Sequence, residues 1–301
     1  MSYRSIAIFC CVFAVFAVLT HRSLAHLTRP PEAPEDPQRI VSLAPSITEL
    51  LYALGLEDRV VGVTDYCVYP PRVADKPQVA GFSSINFEAL LRVRPDLVLL
   101  PVDKIVSRVR LEQLGIPVML LDTHSMHGFM DAVETFGRAA GRDEQAQALL
   151  TDMRMALDAA KTRAHGHPKP RVLFVVMHSN RGKGHTSEVN IIGRENFFSE
   201  MIEAAGGVNA YQGNLPFPLL SREAIIFLNP EVIIDITPPG MGANLEAMRR
   251  YWEGFSGVSA IAHDRLHIIT DASATVPGPR FPQTLSLMSE AFHPAAPEEK
   301  R

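Results

Sequence analysis

The chain has 301 residues, 47% hydrophobic and 21% charged, the balance of a soluble globular protein with room for two lobes of ordinary domain size. Its formal net charge of −4 excludes a nucleic-acid binder that works through a basic face. Of its cysteines, Cys10 and Cys11 sit in an N-terminal apolar run and only Cys67 lies beyond it, which excludes a disulfide framework.

Residues 1–25 read as an export signal. Arg4 supplies the positive end, and Ile6 to Leu19 is an apolar run too short to span a bilayer comfortably. Ser23-Leu24-Ala25 offers the small-x-small cleavage pattern ahead of His26. A retained membrane anchor is the alternative. Cys10 and Cys11 come too early for a lipid-attachment cysteine, which would follow such a run. Residues 26–38 are rich in Pro and Glu and read as a disordered leader, as do residues 295–301 at the other end.

Residues 39–125 read as a first α/β lobe. Arg39–Leu43 is a β-type run, and Pro45-Ser46 opens a helix over Ile47–Leu54 that Gly55 closes. Glu49 is expected in the first turn, where a carboxylate suits the helix dipole. Arg59–Val63 is a second strand, and Asp65–Pro71 a loop, since its prolines forbid helix or central strand. Asn86 caps a helix over Phe87–Val93, and Pro95-Asp96 leads into the strand Leu97–Leu100. A helix over Ser107–Leu114 and a strand over Pro117–Leu121 complete the lobe.

Residues 126–167 read as linker helices. The first covers His127–Ala140. The second, Asp143–Ala164, carries Ala146, Leu149, Leu150, Met153, Leu157 and Ala160 on one stripe and is stopped by Gly166 and Pro168. Such a helix is a rod of roughly 33 Å at 1.5 Å per residue, the width of a small lobe. It is expected to be a strut between two similar lobes, with a ligand cleft at their junction.

Residues 168–294 repeat the alternation. Arg171–Met177 is a strand, Asn196 caps a helix through Ala205, and Ser221 caps another over Arg222–Leu228. Strands over Val232–Asp235 and Leu266–Thr270 alternate with helices over Leu245–Trp252 and Pro282–Phe292. Alternating strand and helix argues for parallel sheets covered by helices.

The two halves also match each other. Phe87-Glu88-Ala89-Leu90-Leu91, followed by Pro95-Asp96-Leu97-Val98-Leu99, faces Arg222-Glu223-Ala224-Ile225-Ile226, followed by Pro230-Glu231-Val232-Ile233-Ile234, at an offset of 135 residues. Ile47–Gly55 and Phe198–Gly206 form a weaker pair. Two copies at so long a period mean duplicated lobes. Glu88 and Glu223 hold the same place in each copy. They either help to cap their helices or form a matched docking pair for a partner with basic residues; each comes two residues after its cap, which fits a capping box poorly.

A family likeness rests on particular stretches: residues 39–50, Tyr69-Pro70-Pro71, Gly81-Phe82 through Val98, Pro216-Phe217-Pro218 with Ser221-Arg222-Glu223, and Pro277-Gly278-Pro279-Arg280. In these, from Arg39 to about Pro294, the chain resembles the substrate-binding proteins of ABC importers for vitamin B12, ferric siderophores and haem, most closely the vitamin B12 binders. The resemblance implies an α/β protein of two Rossmann-like lobes with parallel sheets joined by a single long backbone helix. It implies a periplasmic monomer that captures a metal chelate, first of all a corrinoid, and delivers it to a permease dimer served by ATPase subunits. Ferric siderophore and haem are the alternative ligands, each of them cargo rather than a resident cofactor. Glu88 and Glu223 are then the carboxylates that engage permease arginines.

The resemblance also implies a ligand set. Tyr69 stands in the Tyr-Pro-Pro loop, while Phe82 and Phe217 stand where the B12 binders carry tryptophan. Flat apolar faces suit a corrin, a haem or a catecholate. In the second lobe Asp271 to Thr275 has lost an aromatic and a charged residue of that pattern, whereas Arg280 remains and suits a carboxylate or polar amide edge. His178, expected just after a strand, either touches the ligand or its metal or is a surface loop residue. His124 and His127 have metal-like spacing, but no set of three or four ligands assembles around them. No G-x-S-x-G, P-loop, G-x-G-x-x-G or H-E-x-x-H occurs, and Ser83-Ser84 has no nucleophile context, so no catalytic residue is assigned. A ligand-sensing receptor uncoupled from transport is the rival function.

Overall fold

Leu97 to Pro101 is buried at every position, as a strand must be when helices cover both faces of its sheet. The computed structural model describes residues 34–81, 84–179, 188–236 and 245–294. In the first lobe, β1 (Ile40–Ser42), β2 (Val60–Thr64), β3 (Gln78–Ala80), β4 (Leu97–Pro101) and β5 (Val118–Leu121) form a sheet in the order β3-β2-β1-β4-β5. Every pairing in it is parallel. The helices α1 (Pro45–Ala53), α2 (Phe87–Arg92) and α3 (Ile105–Gln113) make the crossovers. β3 was not legible in the sequence: it is three residues long and carries no alternation.

Two further helices, α4 (Met126–Ala139) and α5 (Asp143–Ala164), lead to the second lobe. The limits of α5 are those expected, and Ala146, Leu150, Met153 and Ala160 form its buried stripe. Asp143 and Glu144 stand in its first turn and Lys161 and Arg163 in its last, the arrangement that complements a helix dipole. It packs against α4 and against the last helix, α10 (Phe281–Phe292). One apolar core runs from Ile40 and Leu50 of the first lobe through Phe136 and Met153 to Phe174, Ile234 and Leu285 of the second. Packing therefore joins the lobes along the whole strut.

The second lobe contains β6 (Arg171–Ser179), β7 (Glu188–Ile191), β8 (Val208–Asn209), β9 (Leu219–Ser221), β10 (Val232–Ile236) and β11 (Leu266–Ile269). The helices α6 (Phe197–Ala204), α7 (Arg222–Leu228), α8 (Leu245–Glu253) and α9 (Ser259–Ala262) precede α10. Its sheet runs β11-β10-β6-β7-β9, with β8 against β6. Here the expectation of parallel sheets needs correction. β6–β7 and β7–β9 are antiparallel, so this sheet is mixed. The chain between Ser179 and Glu188 is shorter than the dozen or so residues that a parallel crossover requires. The remaining pairings are parallel, and β10 holds the place in this sheet that β4 holds in the first. The matched stretches of sequence are thus matched places in the two folds.

Two local expectations also change. Asp36 and Gln38, expected in the leader, are tied to the first lobe and to α4: Asp36 donates its amide to Ala139 of α4 and pairs with Arg59 at 2.5 Å, and Gln38 donates its amide to Asp96 at 2.8 Å. Glu49 is not a first-turn residue. The helix starts at Pro45, its first turn holds no acid, and the Glu49 side chain is 3% exposed. The proposed signal segment, residues 26–33 of the leader and the C-terminal tail lie outside the described residues.

Candidate functional site

Glu49 points from α1 toward the other lobe. Arg280, next to the start of α10, donates from Nε to Glu49 Oε2 at 2.8 Å and from Nη2 to Oε1 at 2.5 Å. The guanidinium carbon lies 3.7 Å from the centroid of the Tyr69 ring, a close cation–π contact. Asp271 Oδ1 stands 3.8 Å from Arg280 Nη1. Burial pushes the Glu49 carboxyl above its ordinary value, and the bonds from Arg280 pull against that rise. Asp271 moves the other way, because hydrogen bonds from the Ser273 amide and hydroxyl hold its carboxyl below the usual range. Its Oδ1 accepts the Ser273 amide at 2.7 Å, which caps the short 3-10 turn Ala272–Thr275.

Around this cluster lies a cavity of about 480 Å³. Glu49, Tyr52, Glu57, Tyr69, Arg280 and Leu149 of the strut are among its lining residues, so both lobes and the strut contribute. The fold thus brings Tyr69, Asp271 and Arg280 together. The guanidinium expected to meet the ligand already binds Glu49, a residue whose role no local sequence signal indicates.

His178 belongs to a second cluster. It lies within β6 rather than after it. The register against β7 shifts between Val175 and Met177, so Val175 faces Ile191 and His178 faces Val189. Strict alternation from Val175 would put His178 on the opposite face of the sheet; the irregularity turns it to the side of Asp235 and Trp252. Its Nε2 lies 2.8 Å from Asp235 Oδ2, which also accepts the Trp252 indole N–H at 2.6 Å. Asp235 is fully buried, and its Oδ1 has no partner. Burial, helped by the Asp235 charge, pushes the Tyr251 phenol up to about 12, and the Tyr251 ring meets His178 edge-on at 5.0 Å. A lone carboxylate ending the run Val232-Ile233-Ile234 was the available sign of this cluster, since a buried charge needs partners.

Phe217 is 54% exposed. The backbone beside it is fixed: Pro216 accepts the Gly193 amide at 2.8 Å and Asn196 Nδ2 at 3.1 Å, and Pro218 accepts the Ile191 amide. Gly193 permits this approach, because a Cβ there would lie 1.8 Å from the Leu215 carbonyl oxygen. Phe82 lies outside the described residues. His124 stands near Asp122 and His127 near Asp131, both histidines exposed. Among the described residues no group of three or more potential metal ligands occurs.

Glu88 and Glu223 sit in the first turns of α2 and α7, each exposed. Asn86 and Ser221 cap these helices by accepting the amides of Ala89 and Ala224, so the caps are complete without the glutamates. Glu88 pairs with Arg92 at 2.8 Å. Hydrogen bonds from Ser221 and from its own backbone amide hold the Glu223 carboxyl below its ordinary value. Each helix runs back to the start of the following parallel strand, which puts both acids at the carboxyl edges of their sheets, where α/β folds bind ligands.

Two α/β lobes fixed to one helix, with a cavity where they meet, define a solute-binding protein of the type that serves an importer. The model of the periplasmic binding protein family matches residues 40–272, and the chain belongs to that family. An uncharacterised ABC transporter substrate-binding lipoprotein of Bacillus subtilis is 29% identical over 265 residues, covering 86% of this chain and 81% of its own. The crystal structure of the periplasmic vitamin B12 binding protein of Vibrio cholerae superimposes with a TM-score of 0.73 at 25% identity, over 86% of this chain and 98% of that one. A periplasmic heme binding protein from Pseudomonas aeruginosa gives a TM-score of 0.73 at 25% identity, over 86% and 94%. The chain is the solute-binding component of an ABC importer of the B12, haem and iron-siderophore class, and this class binds its solute without transforming it.

Proposed function

We infer that the chain captures a corrinoid of the vitamin B12 kind where its lobes meet and delivers it to a membrane permease. The observation that carries this reading is the interlobe wall of Tyr69 and Arg280 beside a cavity that Leu149 of the strut helps to line. An aromatic face and a fixed cation suit a large planar chelate with polar edges. Phe82, Phe217, His178 and Asp271 complete the ligand set. Glu88 and Glu223 seat the loaded protein on two permease subunits, while ATP is hydrolysed in a partner chain. The N-terminal segment exports the protein to the periplasm. The strut confines the lobes to small rocking, because a continuous helix lacks the loop positions that absorb a hinge rotation.

A ferric siderophore or haem is the second reading, and the likeness to the Pseudomonas aeruginosa heme binder favours it as much as the Vibrio cholerae structure favours a corrinoid. The test is calorimetric titration of the purified protein with cyanocobalamin, cobinamide, haemin and a ferric siderophore. Heat with a corrinoid alone is the expected result; no heat with any of the four ends the chelate reading. Trp252 is a poor reporter for this purpose, since it is buried against Asp235.

A further inference from the structure

Two neighbouring residues of α1 reach the two sides of the interlobe wall. The Thr48 hydroxyl lies 3.0 Å from Cys67 Sγ, two residues before Tyr69 in the same loop. Glu49 accepts from Nε and Nη2 of Arg280. The backbone ahead of Arg280 is seated on the same helix: a Cβ on Gly278 would stand 3.3 Å from the Ser46 Cα. With both backbones held against α1, the plane of the guanidinium is left to be fixed, and Glu49 fixes it. A carboxylate that engages two nitrogens side by side admits one orientation of the fork. In that orientation the guanidinium lies over one face of the Tyr69 ring, 3.7 Å from its centroid. Tyr69 is still 43% exposed, so its rim and its other face are what a ligand can reach.

We propose that Glu49 is a positioning residue for ligand binding: by gripping Arg280 from the opposite lobe, it backs one face of the Tyr69 ring and holds the other ready for a flat ligand. Both oxygens of Glu49 are taken by Arg280, so Glu49 acts on the ligand through Arg280 and Tyr69. Side chains that must be ordered on binding weaken affinity, and a wall ordered beforehand avoids that loss. The inference deepens the chelate reading and rests on it for the ligand, but the arrangement of the wall can be tested without one.

The test uses the full chain and its E49Q, R280K, Y69L and E49Q/Y69L variants. In the absence of ligand, the Tyr69 ring signals in nuclear magnetic resonance, assigned by their loss in Y69L, are expected to move in E49Q and in R280K. Cyanocobalamin and haemin are then titrated calorimetrically at a temperature where every variant is folded. For a chelate that gives heat, E49Q is expected to weaken affinity by up to about tenfold, the effect of ordering one long side chain on binding. R280K should reproduce that loss. In the Y69L background E49Q should change affinity by less than about twofold, because a residue that acts through the ring loses its effect when the ring is gone. A lower stability of E49Q with affinity unchanged, or the same loss with and without the Tyr69 ring, overturns the proposal. Unmoved Tyr69 signals in E49Q, with heat from a chelate, overturn it and leave the chelate reading intact. Tyr69 signals that move while neither chelate gives heat uphold the positioning and count against the chelate reading instead.

Discussion

Arg280 and Glu49 form a two-bond ion pair between residues 231 positions apart, one from each lobe. Glu49 is almost wholly enclosed and Arg280 nearly so. Removing one partner of such a pair leaves the other charge buried and uncompensated, which typically costs about 3–5 kcal/mol. R280A should therefore lower stability by about that amount, read as the midpoint shift in urea unfolding at neutral pH. E49Q should cost less, because burial already disfavours the charged carboxylate and glutamine keeps an acceptor for the guanidinium. An R280A protein as stable as the parent would show that the pair contributes little to holding the lobes together.

His293 makes the molecule sensitive to acid. Burial, with the nearby His167 next, holds its imidazole below the ordinary histidine value, although backbone groups of Ala205 and Gly206 pull it up. The unfolded chain therefore binds this proton more readily than the folded one, and the stability contributed by neutral His293 is present above about 6.5. It is lost as the pH falls from there through the lower folded value. Chemical denaturation across pH 5–8 should show stability declining on the acid side, and H293N should flatten that decline. An unchanged slope in H293N would assign the effect elsewhere, His267 being the next candidate, since burial lowers it too.

The strut and the matched helices were legible because their signals are local. The stripe of α5, its charged ends and its glycine stop all lie within one stretch, and the limits of α7 follow from Ser221 and the run behind it. The short strands β7 and β9 carry no such signal; their direction depends on the length of the connection and on partners far away in sequence. The site divides in the same way. Tyr69 and Arg280 sit in recognisable Pro-rich stretches, but the role of Glu49 arises only when the lobes meet. Asp235 looked like one more strand residue, although its burial beside His178 and Trp252 makes it the centre of the second cluster.

The strut also depends on close contact with α4. A Cβ placed on Gly137 would lie 2.4 Å from the Ala146 Cβ, inside any real contact distance. G137A should therefore force α4 and α5 apart and cost about 1–3 kcal/mol by overpacking. Thermal unfolding would show a lower midpoint. An A146G substitution in the same chain should recover part of the loss, since it reopens the space at the price of a weaker helix former. No recovery would mean that the clash is relieved elsewhere.

The two docking acids are matched in position but not in surroundings. Glu88 is engaged by Arg92, whereas the residue equivalent to Arg92 at the offset of 135 is Phe227, which is 88% exposed. Leu91 and Ile226, also equivalent, are each about half exposed. The second-lobe face thus presents a carboxylate without a competing cation on the next turn and a bare aromatic ring, the combination that buried contact with a partner would use. If these faces seat the protein on its permease, E223A and F227A should each reduce uptake into proteoliposomes more than E88A does, with ligand affinity unchanged in all three. R92A should improve docking through Glu88, because it removes an intramolecular competitor that is worth only a few tenths of a kcal/mol but stands where a permease arginine must enter. Equal losses in E88A and E223A, with R92A neutral, would mean that the partner displaces Arg92 without penalty and that Phe227 plays no part in the contact.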